Sequence, residues 1–101
     1  MEVKITRPGD EIHVRLIGRL DTPAAQEVGA QLAPLEKEAA GTIILDCKEL
    51  TYISSSGLRI FLALRKAAAA QGGRVIVRGM DSNIRSVFMM TGFLNLFTIE
   101  D

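Results

Sequence analysis

The sequence predicts an α/β domain on a mixed β-sheet, and three observations carry that reading. Ile12, Val14 and Leu16 alternate with His13 and Arg15, the period of two that marks a half-buried strand. Thr42-Ile43-Ile44-Leu45-Asp46 is a continuous apolar run ending in a carboxylate, which suits a central strand buried on both faces. Ala25, Val28, Leu32, Leu35 and Ala39 step by three and four residues, giving one apolar helical stripe.

Taken in order, residues 2 to 7 and 11 to 17 read as two strands, and Pro8-Gly9-Asp10 between them makes an antiparallel hairpin. A helix follows near Thr22, a good N-cap, with Pro23 at its first position, where no amide hydrogen is needed. Pro34 removes a hydrogen bond and clashes with the preceding turn, so a kink or break is expected there. After the central strand, Leu50-Thr51-Tyr52-Ile53 reads as a short connecting segment. Ser54-Ser55-Ser56-Gly57 opens a second helix that runs to about Gln71, where Gly72-Gly73 ends it. Arg74-Val75-Ile76-Val77-Arg78 is another strand. Asp81 or Ser82 caps a third helix with Ile84, Val87 and Phe88 on one face, and Leu96-Phe97-Thr98-Ile99 is a final edge strand. The order implies a mixed sheet flanked by three to four helices, in one domain over residues 1 to 101.

Composition excludes several functions. Lys and Arg number 12 against 12 Asp and Glu, so the basic excess of a nucleic-acid binder is missing, as is a polybasic membrane patch. The apolar run at residues 60 to 64 is too short to insert across a bilayer. With no apolar leader and one cysteine, the expected compartment is the cytoplasm. Enzyme readings fail on chemistry, and no catalytic residue is assigned. One His and one Cys cannot build a common zinc site, no cofactor motif stands out, and the phosphate-binding Gly-x-x-x-x-Gly-Lys-[Ser/Thr] loop is absent. His13 belongs to a strand face beside Arg15, and Cys47 reads as a packed, inert thiol.

The informative feature is the serine cluster. The first turn of a helix has amide hydrogens without internal partners, and these, with the helix dipole, form an anion site. A phosphate on Ser55 would be held there, adding roughly −1.5 to −2 charges at one surface point. The plainer role for Ser54 or Ser55 is an ordinary N-cap. Asp21 has the same two readings, a helix cap or a partner contact, and both can hold at once. Leu58 and Leu62 are either covered by neighbouring elements or left as an apolar edge for a partner. Met89 and Met90 are core filler or an extension of that edge.

Four segments resemble one family, the STAS domain of bacterial anti-sigma factor antagonists. Gly18-Arg19-Leu20-Asp21 is similar to its G-x-L-D. Ile44-Leu45-Asp46 with Leu50 is similar to its strand-and-loop pattern. Ser54-Ser55-Ser56-Gly57-Leu58 resembles its D-S-S-G-L phosphorylation motif, and Thr91-Gly92-Phe93 through Phe97 resembles its closing T-G-h-x-x-x-F.

The resemblance implies a non-enzymatic switch, a monomer or weak dimer. It binds an anti-sigma factor that is also a serine kinase, is turned off by phosphorylation at Ser55 (second choice Ser56), and is reset by a PP2C-type phosphatase. Asp21, Ser54, Ser56, Gly57 and Leu58 would form the partner surface. One departure is Ser54, which stands where the family often has Asp. The alternative is a cytoplasmic STAS accessory subunit of a lipid or anion transporter, indifferent to phosphorylation.

Overall fold

The computed structural model describes residues 1–101 and contains five strands in the order β1-β2-β3-β4-β5. They are β1 (Glu2–Thr6), β2 (Glu11–Leu20), β3 (Thr42–Ile53), β4 (Arg74–Arg78) and β5 (Thr98–Glu100). β1 and β2 form the expected antiparallel hairpin, and every later pairing is parallel. Parallel neighbours need crossovers, which α1 (Thr22–Leu32), α2 (Ser55–Ala70) and α3 (Ser82–Met90) supply.

All three helices pack on one face of the sheet. Their buried residues, Val28 and Leu32 of α1, Phe61 and Leu64 of α2, and Ile84 and Phe88 of α3, join Val14, Leu16, Ile43, Leu45, Val75 and Val77 in one core of 23 buried residues. Phe61, Phe88 and Phe97 meet at its centre, with ring centroids 5.8 to 6.4 Å apart in tilted or edge-on contacts. The other face of the sheet carries Lys4, Thr6, His13, Arg15 and Asp46 around an open polar depression. On that face only Ile44 and Ile76 are buried apolar residues outside the core. β3 is thus buried on both sides, although helices cover only one.

The structure revises several boundaries. Residues 50 to 53 are not a connection but the end of β3, which pairs with β2 as far as Leu20 with Ile53. Two register shifts against β2, one between Arg15 and Ile17 and one between Gly18 and Arg19, place extra residues in β3. The core-facing positions of β3 therefore run Ile43, Leu45, Cys47, Leu50 and Ile53, with the spacing lengthening from two to three. That change hides the strand from a period-two reading. The Lys48 amide donates to Asp46 Oδ1 at 3.0 Å beside the first bulge, and the Thr51 hydroxyl donates to the Gly18 carbonyl at 3.1 Å beside the second.

Asp21, not Thr22, caps α1. Pro34 breaks the helix as expected, and Ala33–Glu38 continue as a 3-10 helix. Leu96 and Phe97 precede the last strand, whose start is Thr98. Met89 and Met90 are not core filler, being 61% and 86% exposed at the C-terminal end of α3. No helix is long and apolar enough to cross a membrane.

Cys47 lies fully buried in the core, and burial, with a smaller push from the Asp46 carboxylate, raises its thiol from 9.0 to about 12. In the unfolded chain the thiol ionises near its ordinary value. Above pH 9 the folded state alone keeps the proton, so stability must fall as pH rises toward 12, by at most about 1.4 kcal/mol per pH unit. Urea unfolding at pH 8 and pH 10 should show the wild-type chain losing about 1 kcal/mol more than Cys47→Ala. Equal losses would contradict the burial of the thiol.

Candidate functional site

The three α-helices all begin at the C-terminal edge of the parallel strands, where α/β folds of this kind place their binding sites. α1 follows β2 directly, α2 follows β3, and α3 follows β4 after two residues more. Each start is capped by a side chain. Asp21 Oδ1 accepts from the Ala24 amide at 3.0 Å, Ser54 Oγ from the Gly57 amide at 3.2 Å, and Asp81 Oδ1 from the Ile84 amide at 2.8 Å. Leu20 and Ile53 are register partners, so the caps that follow them, Asp21 and Ser54, emerge side by side. The Ser54 amide donates to the Leu20 carbonyl at 2.9 Å and joins the two chain crossings.

The serine triplet therefore divides into three roles. Ser54 is extended, with φ −89° and ψ 170°, and only 8% exposed; its hydroxyl is committed to the cap. Ser55 is the first helical residue and is exposed. Ser56 is half-buried. The Gly57 amide is bound by Ser54 and the Leu58 amide by the Ser54 carbonyl at 3.0 Å, which leaves the amides of Ser55 and Ser56 free at the helix mouth. A phosphoryl group attached to Ser55 would sit beside two unpartnered N–H donors and the positive end of a 16-residue helix.

Gly57 fixes how closely that helix approaches the strands. A Cβ at this position would lie 2.8 Å from Leu20 Cγ and 2.9 Å from Ile53 Cγ1, both inside the core, so only hydrogen fits. Leu58, the next residue, is also buried, at 4% exposure. Of the residues expected at a partner surface, Ser54, Gly57 and Leu58 are buried. Leu58, Gly57 and Ser54 support the surface from beneath, because their side chains face inward or, in Gly57, are absent, while Ser55, Ser56 and half-buried Asp21 reach it. Leu62 is half-buried, so an apolar edge of Leu58 and Leu62 does not form. Met89 and Met90 lie at the other end of α3 from the capped edge and do not extend the site.

Two residues at this edge escape a reading of motifs alone. The Arg19 guanidinium lies 4.4 Å from the centre of the Tyr52 ring, a pair across β2 and β3 one step before Leu20 and Ile53. Tyr52 is 41% exposed, the kind of aromatic that anchors protein interfaces. Its signal in the sequence was its status as the sole tyrosine, placed just before the serines.

Comparison with known proteins agrees with this geometry. Residues 2–101 match the family described as the STAS domain. BtrV of Bordetella bronchiseptica, provisionally named an anti-sigma factor antagonist, is 31% identical over 86 residues, covering 85% of this chain and 74% of its own. The anti-sigma-B factor antagonist of Bacillus subtilis is 25% identical over 100 residues, covering 99% and 91%. Among solved structures, SpoIIAA in its unphosphorylated form superposes with a TM-score of 0.78 at 24% identity, covering 99% of this chain and 88% of that one. The Bacillus SpoIIAA in its phosphorylated form gives 0.75 at 24% identity, covering 97% and 90%. These two likenesses carry the fold.

The assignment of the cap to Ser54 separates two substitutions. Ser54→Ala should lower stability by about 1 kcal/mol in thermal or urea unfolding. Ser55→Ala should stay within about 0.5 kcal/mol of wild type, because its side chain is exposed and uncommitted. The reverse order would make Ser55 the cap and contradict the division of roles.

Proposed function

The chain belongs to the STAS domain family, and from that membership we propose that it is an anti-sigma factor antagonist, a binding protein whose contact with an anti-sigma factor is controlled at Ser55. The observation that carries this reading is the exposure of Ser55 on an edge that is otherwise tightly held. The partner is an anti-sigma factor with serine kinase activity. It transfers the terminal phosphoryl group of ATP to Ser55 Oγ, whose proton is lost. A PP2C-type phosphatase hydrolyses the ester and restores the hydroxyl. The antagonist supplies no catalytic group.

The physics of the switch is local. A dianionic group at Ser55 is stabilised in the free protein by the Ser55 and Ser56 amides and the α2 dipole, so the fold need not change. A partner seated on this edge must desolvate that charge, with Asp21 close by adding repulsion. A hundredfold loss of affinity corresponds to about 2.8 kcal/mol, within reach of one desolvated dianion.

Ser54 replaces the family's usual aspartate without harming the helix start, because a serine hydroxyl caps as well as a carboxylate. It also removes one negative charge next to the proposed phosphate. The structure favours Ser55 over Ser56 as acceptor, since Ser55 alone of the triplet is exposed.

With its cognate anti-sigma kinase and ATP, the chain should gain one phosphate, mapped by mass analysis to Ser55, and Ser55→Ala should gain none. Ser55→Asp should keep the thermal unfolding of the wild type while its affinity for the same kinase falls by about tenfold to a hundredfold in calorimetric titration. Phosphate incorporated on a serine away from the α2 start, or full affinity of a phosphorylated chain, would remove this reading.

A further inference from the structure

Ser55 and Arg59 stand four residues apart in α2, and both are exposed. Side chains at that spacing share one face of a helix, with Cβ atoms about 6 Å apart. Buried Gly57, Leu58, Phe61 and Leu64 mark the opposite side, so the pair faces solvent. A long helical side chain covers the turn N-terminal to its own Cα. The reach of Arg59 therefore includes the α2 start and the hydroxyl of Ser55.

Most arginines of the chain are already committed. Arg7, Arg15, Arg78 and Arg85 pair with Glu38, Glu49, Glu100 and Asp101. Arg19 stacks on Tyr52, and Arg65 donates to the Leu96 carbonyl. Arg59 is the first charged residue of α2, and its guanidinium carries no such partner. Glu36 borders the same shallow groove between α1 and α2 without pairing with it. The other charges near the α2 start are the carboxylate of Asp21, bonded to the Ala24 amide, and the stacked Arg19. All five N–H donors of Arg59 are thus available one helical turn from Ser55.

We propose, resting on the reading of Ser55 as phosphoacceptor, that Arg59 is the positioning residue for the phosphoserine and closes an ion pair with it inside the free protein. An anion four residues N-terminal to a cation is the favourable order for such a pair. The planar guanidinium matches two phosphate oxygens at once, and charge-assisted bonds of this kind are the strong ones. The Ser55 and Ser56 amides hold the group at the helix mouth, and Arg59 holds it from the next turn. Phosphorylation then changes the surface twice. It adds a dianion, and it withdraws the cation that the unmodified chain presents to a partner.

The test installs phosphoserine at position 55 of the full chain by codon reassignment, so that no kinase is needed. Phosphorus-31 spectra are followed against pH with Arg59 intact and in Arg59→Ala, Arg59→Lys and Arg19→Ala. A cation beside the phosphate favours the dianion, so its second ionisation should fall below the ordinary value of about 6. Arg59→Ala should raise it by about half a pH unit or more. Arg59→Lys should raise it less, since lysine keeps the charge and loses the fork. Alanine is the best helix former and the position is exposed, so the fold persists, which amide spectra of the unmodified variant check. The same ionisation with and without Arg59, or a rise in Arg19→Ala alone, would overturn the proposal. Failure of the underlying reading looks different: the installed phosphoserine pairs with Arg59, yet the cognate kinase leaves Ser55 unmodified, which overturns the regulatory role of the pair.

Discussion

The hydrogen bond from the Ser54 amide to the Leu20 carbonyl, 2.9 Å long, holds the end of β3 against the end of β2 at the place where both strands turn into helices. The rest of the site depends on it. It sets Asp21 and Ser54 side by side, and each then caps its own helix through a side-chain oxygen. Gly57 lets α2 descend onto Leu20 and Ile53 without a Cβ in the way. With amide, hydroxyl and carbonyl of Ser54 all engaged, the next residue is forced outward onto the surface. The exposure of Ser55 is a consequence of how its neighbour is bonded.

This arrangement separates what folds the protein from the proposed phosphorylation site. The core of 23 residues, the Phe61–Phe88–Phe97 contacts and the buried Cys47 lie beneath the helices, whereas Ser55 is exposed. A charge added at Ser55 meets free amides and solvent rather than buried apolar surface. The energy of modification is therefore directed at whatever covers that edge. A switch built this way needs no second conformation of its own, only a partner with a different affinity for the two chemical forms.

Much of the fold was legible in the sequence. The β1–β2 hairpin, β4, the apolar stripe of α1 and the glycine stop after α2 follow from period and turn chemistry alone. The end of β3 was not legible, because two bulges change the spacing of inward residues from two to three, and Leu50 through Ile53 then resemble no regular strand. For α1 both Asp21 and Thr22 read as caps in the sequence, and only the backbone angles and the bond to the Ala24 amide decide for Asp21. Met89 and Met90 fall off the face of α3 that carries Ile84 and Phe88 and are exposed, so their hydrophobicity said nothing of burial. The serine cluster was visible at once as a helix start. The division of labour among Ser54, Ser55 and Ser56 was not, since three identical side chains are distinguished by backbone geometry alone.

The claim on which the account rests is that Ser55 is presented by a rigid junction, so that phosphorylation alters a surface and leaves the fold in place. The direct measurement is a pair of amide correlation spectra, one of the unmodified chain and one of the chain phosphorylated stoichiometrically at Ser55. Changes are expected only at the α2 start and the adjoining residues around Asp21, with the signals of β4, α3 and the phenylalanine cluster unmoved. Shifts spread through β3 and the core, or a loss of dispersion on phosphorylation, would contradict it.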